Sequence, residues 1–520
     1  DTEVLLHLYA LKGASMVQDL RGMFAFAIWD ALNRSIILAR DHLGIKPLYY
    51  ANDGQTFRFA SQVKALLKGG AISNDPNTAG LVGFYLWGSV PDPHTLYRDI
   101  KAVPAGHYML VDAAGSSELV RHFCIAEELA DGDSRPCSLD DIKSSVRHAA
   151  KETVGAHLLA DVEVGLFLSG GVDSGALLGL MRDAGAEKIR AITLAFTEYS
   201  GSQKDEAHLA SLVAGHYGAE HHARFVDKRE FLTDLPQILN NMDQPSIDGI
   251  NTYFVSKAAK EAGLKVAISG VGADELLAGY PSFSDIPRWV RRMRPMTLIP
   301  GLGKALRRLI YASGLTEAYP KLAGLPEYGG GYPGAYLLRR GLFMPWELSE
   351  VLSDPSVAEE GFRKLAPMET LSSSLLPGLN SPTSRVAALE GTNYMRNQLL
   401  RDADWAGMAH SLEIRVPFVD KTFLTNIKVV TPQLSGRVGK DALAAAPSRP
   451  VPGFVSDRAK VGFYVPVSDW ISEVVGIDFS GQNEGKTSRG WAKYVAHASD
   501  ASSHVFPLAR TGKAPILNGA

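Results

Sequence analysis

Leu166-Phe167-Leu168-Ser169-Gly170-Gly171-Val172-Asp173-Ser174 decides how the chain is read. It runs from a short apolar strand through two adjacent glycines into the start of a helix. The glycines let the backbone approach a ligand closely. Successive N–H groups at the helix start form an anion site, strengthened by about half a unit of positive dipole charge. Ser169 and Ser174 add hydroxyl donors. Asp173 fits an anion site only if a cation is present too, and Mg²⁺ shared with phosphate oxygens meets that need. A plain glycine turn with Ser and Asp capping a helix is the bland alternative. The full S-G-G-x-D-S pattern behind a buried strand favours a pyrophosphate loop. A Walker A loop is excluded, because no lysine precedes Ser174.

Around this loop, strands and helices alternate. Residues 162–168, 189–196 and 266–269 read as buried strands, and residues 174–184 and 206–216 as helices. Such alternation predicts a parallel sheet covered by helices. Residues 287–398 continue as helices without clear strands. After the third strand comes a second glycine turn, Ser269-Gly270-Val271-Gly272-Ala273-Asp274-Glu275. Glu275 stands where a dinucleotide fingerprint needs its third glycine, so that reading fails. Helices after parallel strands start at one sheet edge, so two such turns can meet at one nucleotide with Asp173 and Asp274 sharing a metal. The alternative for Asp274 and Glu275 is that they only favour the helix dipole.

Upstream the pattern is strand-like. Met23 to Trp29 and Ser35 to Ala39 are apolar runs joined by a turn, and a hairpin is expected at Asn52-Asp53-Gly54. The first residues read as an amphipathic helix capped by Asp1 or Thr2. The predicted organisation is an antiparallel β-rich domain over residues 1–125, a polar linker over 126–138, an α/β domain over 139–480 and a weakly ordered tail over 481–520. The formal net charge of the 520 residues is -3, which argues against nucleic acid as the main partner. The apolar run from Ala79 to Trp87 is about half of the roughly 20 residues needed to cross a bilayer, and no secretory leader opens the chain. Two cysteines, Cys124 and Cys137, rule out a disulfide scaffold and fit a reducing cytoplasm.

Four ordered blocks carry a resemblance. They are residues 169–174, residues 269–280, Met408-Ala409-His410-Ser411-Leu412-Glu413-Ile414-Arg415-Val416-Pro417-Phe418-Val419-Asp420, and Asp457-Arg458-Ala459-Lys460-Val461-Gly462-Phe463 followed by Pro466 and Trp470. With both glycine turns, these resemble the glutamine-hydrolysing asparagine synthetase (B-type) family. Upstream, residues 21–30 and 39–50 resemble the latter part of that family's glutaminase domain. The resemblance implies an α/β synthetase domain of the ATP-pyrophosphatase type with added helices, preceded by the remainder of an α+β N-terminal-nucleophile glutaminase domain. It implies that a carboxylate, aspartate first, is activated by Mg-ATP as an acyl-adenylate and amidated by glutamine-derived ammonia, with small molecules as partners and a homodimer left open. By motif, Ser169, Gly171, Asp173 and Ser174 would hold pyrophosphate and metal, and Asp274 would be the second metal carboxylate. Phe167, Leu194, Ser269 and Gly270 would line the adenine-ribose pocket, with Gly170 in the same loop. Lys460 would be the catalytic cation, and Asp1 would grip the glutamine α-amino group.

The sequence departs from that family at three points. Its glutaminase needs an N-terminal cysteine, and this chain opens on Asp1, so it is read as N-terminally truncated and unable to hydrolyse glutamine itself. Val271 stands where asparagine-forming members carry glutamate and cyclising members tyrosine. Glu275 and Glu413 are the substitutes by motif. Trp405 replaces a frequently basic residue. Val271 leaves open another carboxylate, such as a sugar acid or a peptide. A non-catalytic nucleotide-binding remnant is the reading from another class. Arg415 is expected to position a loop rather than react. The basic stretch Arg288, Arg291, Arg292, Arg294, Lys304, Arg307 and Arg308 is expected to be a solvated face.

Overall fold

The computed structural model describes residues 2–132, 136–202, 205–314, 320–458, 466, 470 and 484–499. The first part opens with the helix Thr2–Lys12 and continues into seven strands. Strands β1 (Ala25–Asp30), β2 (Ser35–Arg40), β6 (His107–Val111) and β7 (Ser117–Arg121) form an antiparallel sheet in the order β1-β2-β6-β7. A smaller sheet has the order β4-β3-β5, from β3 (Tyr49–Asn52), β4 (Phe57–Ala60) and β5 (Lys101–Ala102). The turn between β1 and β2 is set by Asp30, whose Oδ1 accepts the N–H groups of Leu32 and Asn33 at 3.0 Å. The apolar run near Trp87 is a buried helix, Thr78–Trp87, capped by the Asn77 side chain.

The second part is built on a five-stranded parallel sheet, β10-β9-β8-β11-β12. Its strands are β8 (Val164–Phe167), β9 (Arg190–Phe196), β10 (Glu220–Val226), β11 (Val266–Ile268) and β12 (Glu413–Arg415). The central strands are apolar on both faces, as a sheet covered by helices on both sides demands. From β8 the chain builds outward to β9 and β10, then crosses back to lay β11 on the other side. The order therefore reverses between β8 and β11, and ligands of open α/β sheets bind at such a point. Both glycine turns leave the sheet there, one after each strand.

The expected strands near residues 162–168, 189–196 and 266–269 are all present. β10 and β12 were not foreseen. β10 is an edge strand with exposed polar positions, and β12 has three residues; neither offers an apolar run to read. Two boundaries differ from expectation. The polar stretch after residue 125 begins as the helix Ile125–Asp131, with Ile125, Ala126 and Leu129 buried. The C-terminal stretch holds the helix Glu484–Ala498, whose Trp491, Ala492, Val495 and Ala496 are buried. A Ser-, Gly- and Lys-rich composition masks that four-residue period.

Ion pairs tie the two parts together. Asp92 binds Arg40 at 2.7 Å and Arg401 at 2.8 Å; both arginines are buried and the Asp92 side chain is nearly so. Arg21 reaches Asp420 through Nε at 3.0 Å.

Candidate functional site

The first glycine turn is held open by its own hydroxyls. Ser169 and Ser174 share a hydrogen bond at 2.9 Å, the Ser169 N–H donates to Ser174 Oγ at 3.1 Å, and the Gly171 N–H donates to Ser169 Oγ at 3.2 Å. The helix Val172–Asp183 starts without a side-chain cap, so its first N–H groups point toward the loop.

The second turn is held from beneath. Glu275 is buried; it accepts the Gly272 N–H at 3.0 Å and the Tyr280 hydroxyl at 2.7 Å. Burial, and then Asp274, push its carboxyl up to about 7.

The two turns touch. A Cβ at Gly270 would lie 3.1 Å from Asp173 Cβ, so glycine is what allows the approach. The carboxylates of Asp173 and Asp274 converge on one cation, the ammonium of Lys440, which is 2.6 Å from Asp274 Oδ1 and hydrogen-bonded to Asp173 Oδ1. Burial works against the Lys440 charge, but the two carboxylates outweigh it and raise the ammonium above its ordinary range. Gly279 makes room for the pair, since a Cβ there would meet both Asp274 and the Lys440 side chain.

Two connected chambers open here. One, of about 320 Å³, is walled by Phe167, Leu194, Ser269, Gly270, Val271 and Asp248 among others. The other, of about 570 Å³, is lined by Ser169, Gly170, Gly171, Lys440, Arg437 and Arg458 among others. Asp173, Asp274, Asp248 and Asn251 border both. Thus Phe167, Ser169, Gly170, Gly171, Asp173, Ser174, Leu194, Ser269, Gly270 and Asp274, singled out by sequence, all face one of the two chambers. Asp1 and Lys460 lie outside the described residues. Glu413 borders neither chamber among the described residues and instead accepts from Arg415 at 2.7 Å. Arg415 holds the carbonyls of His157 and Leu159 at 2.6 and 2.8 Å, a positioning role. The basic stretch lines neither chamber, and Arg291, Arg292, Arg294, Lys304 and Arg308 are exposed.

Sequence reading missed Lys440, Asp248 and Asp402. Lys440 lies 267 residues beyond Asp173 in a short helix, Val438–Ala444, with no glycine-rich signature to flag it. Trp405 has a structural explanation: its Nε1–H donates to Asp402 at 2.7 Å, and its ring fills the space that a Cβ on Gly249 would need.

Comparison with known proteins points the same way. The family model for asparagine synthase matches residues 145–481, and a glutamine amidotransferase domain matches residues 1–123. Asparagine synthetase 1 (glutamine-hydrolyzing) of Bacillus subtilis (strain 168) is 30% identical over 495 residues, covering 91% of this chain and 72% of that protein. Asparagine synthetase B of Escherichia coli (strain K12) is 30% identical over 306 residues, or 55% of this chain and 48% of that one. Amidase chyE of Penicillium rubens is 30% identical over 301 residues, or 54% and 43%. With its two glycine turns meeting at a parallel-sheet switch point, behind a glutamine amidotransferase domain, the chain belongs to the asparagine synthase family.

Proposed function

We propose that the chain catalyses ATP-dependent amide formation, activating a carboxylate as an acyl-adenylate with release of pyrophosphate and amidating it with glutamine-derived ammonia. The observation that carries this is the convergence of Asp173 and Asp274 on a single cation beside the serine-glycine loop. Aspartate is the acceptor suggested by the relatives, with asparagine and AMP as products.

The donor set suits Mg²⁺: two carboxylates meet at one point, and phosphate oxygens complete such a site. No group of three or more metal-ligating side chains occurs among the described residues, so ATP would have to supply the remaining ligands. When bound, the ion would neutralise the phosphate charge. The loop N–H groups and the hydroxyls of Ser169 and Ser174 hold the pyrophosphate portion. Lys440, Arg437 and Arg458 balance its charge in the larger chamber. Phe167, Leu194, Ser269 and Gly270 enclose adenine and ribose. Lys460 stabilises the charge that develops as pyrophosphate leaves or ammonia attacks. Glu275, poised at about 7, takes the proton that a glutamate at position 271 takes elsewhere in the family. Asp1 binds the glutamine α-amino group. A narrow void between Ile45, Lys46, Leu400 and Asp404 shares Ala403 and Ile414 with the smaller chamber, which suits delivery of ammonia from the amidotransferase side. A content of only two cysteines, Cys124 and Cys137, suits a reducing compartment such as the cytoplasm.

Val271 on the wall of the smaller chamber favours a second reading, in which a different carboxylate is amidated. Incubation with aspartate, ammonia and Mg-ATP should release pyrophosphate in proportion to aspartate consumed. ATP binding without aspartate-dependent release would exclude aspartate. ATP binding without release for a panel of sugar acids, amino acids and peptides would leave a nucleotide-binding remnant.

A further inference from the structure

The two chambers differ in their cationic side chains. Lys440, Arg437 and Arg458 line the larger one and match a polyphosphate. Among the described residues, no Lys, Arg or His lines the smaller one; of its five acids, Asp173 and Asp274 hold Lys440, which leaves Asp248, Asp402 and Glu275. Arg340 lies behind its wall: it stacks on Tyr280 and Tyr394 at 4.4 and 3.9 Å and pairs with Glu390 at 2.9 Å.

The three acids are not equivalent. Glu275 accepts the Gly272 N–H and the Tyr280 hydroxyl and serves as the base in the amidation reading. Asp402 accepts from Ser246 Oγ at 2.8 Å and from Trp405 Nε1 at 2.7 Å. Burial, and then the neighbouring Asp248, push Asp402 up to about 8. Asp248 stands where the chambers join. Its Oδ1 accepts the Gly249 N–H at 3.0 Å, and among the described residues no side chain donates to it. Val255, Val271 and Leu399 wall the same space. Burial pushes the Asp248 carboxyl up, so its charged form is strongly disfavoured unless a cation joins it, and the low dielectric strengthens any pair that forms. Cavity, apolar walls and an uncompensated carboxylate thus describe one half of a charge pair.

Building on the amidation reading above, we propose that Asp248 determines acceptor specificity: the carboxylate substrate carries a protonated nitrogen, an ammonium or guanidinium, that pairs with Asp248 while its own carboxylate reaches the α-phosphate beside Ser169. Aspartate, through its α-ammonium, belongs to this class, as do amino-acid or peptide acceptors with a free amine. Sugar acids and simple dicarboxylates do not.

The full chain, loaded with Mg²⁺ and α,β-methylene-ATP, is titrated by calorimetry with matched acids that differ only in the amine: aspartate against succinate, and β-alanine against propionate. The wild type should bind the amine-bearing member of each pair about 30-fold more tightly, the scale of a lost buried charge pair. Asp248→Asn should reduce that preference below about 3-fold with the affinity for the ATP analogue unchanged, and Asp248→Glu should retain most of it. No preference in the wild type, a preference that survives Asp248→Asn, or loss of the ATP analogue in that variant each overturns the assignment. Aspartate-dependent pyrophosphate release with the same selectivity in Asp248→Asn would leave the amidation reading intact and sink this inference alone. Binding of the ATP analogue with none of the four acids bound would sink both.

Discussion

The two glycine turns occupy equivalent places after neighbouring parallel strands, yet they are built in opposite ways. The turn at residues 169–174 is braced by hydroxyls that lie on the ligand side, and Gly171 has an extended backbone, φ -98° and ψ 163°, that any residue can adopt. The turn at residues 269–275 is braced from the protein side by buried Glu275, and Gly272 sits at φ +97° with Val419 and Phe418 packed against it. The difference teaches that the first turn is shaped for what it binds and the second for where it must stay. One presents N–H groups to a ligand; the other fixes Asp274 against its partner Asp173.

That contrast can be broken at its sharpest point by Asp173→Asn. The change should lower pyrophosphate release by on the order of 10³-fold while thermal stability stays near wild type, because the group faces the ligand. A large loss of melting temperature would show that the first turn is structural after all. Next in size is a matched pair of glycine substitutions. Gly272→Ala forces a Cβ to 2.5 Å from Val419 Cγ2 in a left-handed conformation, and should destabilise the fold by about 3 kcal/mol in denaturant titration. Gly171→Ala meets only Ser169 Oγ at 3.1 Å and should cost less than about 1 kcal/mol, yet weaken ATP binding. Equal destabilisation by the two would erase the distinction. The smallest effect is on pH dependence. Burial and Asp274 raise Glu275 from 4.5 to about 7, so between those values the folded protein holds a proton that the unfolded chain has released. Stability from this group is therefore full below about pH 4.5 and is lost as pH rises through about 7. Without nucleotide, the melting temperature of the wild type should fall more between pH 5 and 8 than that of Glu275→Gln. Parallel curves would mean that Glu275 is not the group that titrates there.

The sequence made the turns legible because each is local: strand, glycines and helix start lie within about ten residues, and their chemistry is carried by residue type. It also made the sheet's central strands legible, since burial on both faces leaves continuous apolar runs. What it hid is what folding brings from a distance. Lys440 joins Asp173 and Asp274 only because the helix Val438–Ala444 packs beside the first turn's helix. Asp402 and Asp248 become neighbours across 154 residues of chain through Ser246. β10 escaped notice because an exposed edge strand needs no hydrophobic pattern. Trp405 looked like an unexplained departure until its indole was seen against Gly249 and Asp402.

The helix Glu484–Ala498 has a practical consequence. Arg489 clasps Glu347 through two bonds of 2.8 and 3.0 Å and lies over the Phe343 ring, while Trp491 is sunk into the same helical layer. A protease that nicks the chain before residue 484 would release a fragment still anchored by these contacts, so the clipped protein should run as two bands on a denaturing gel yet elute as one species from a sizing column.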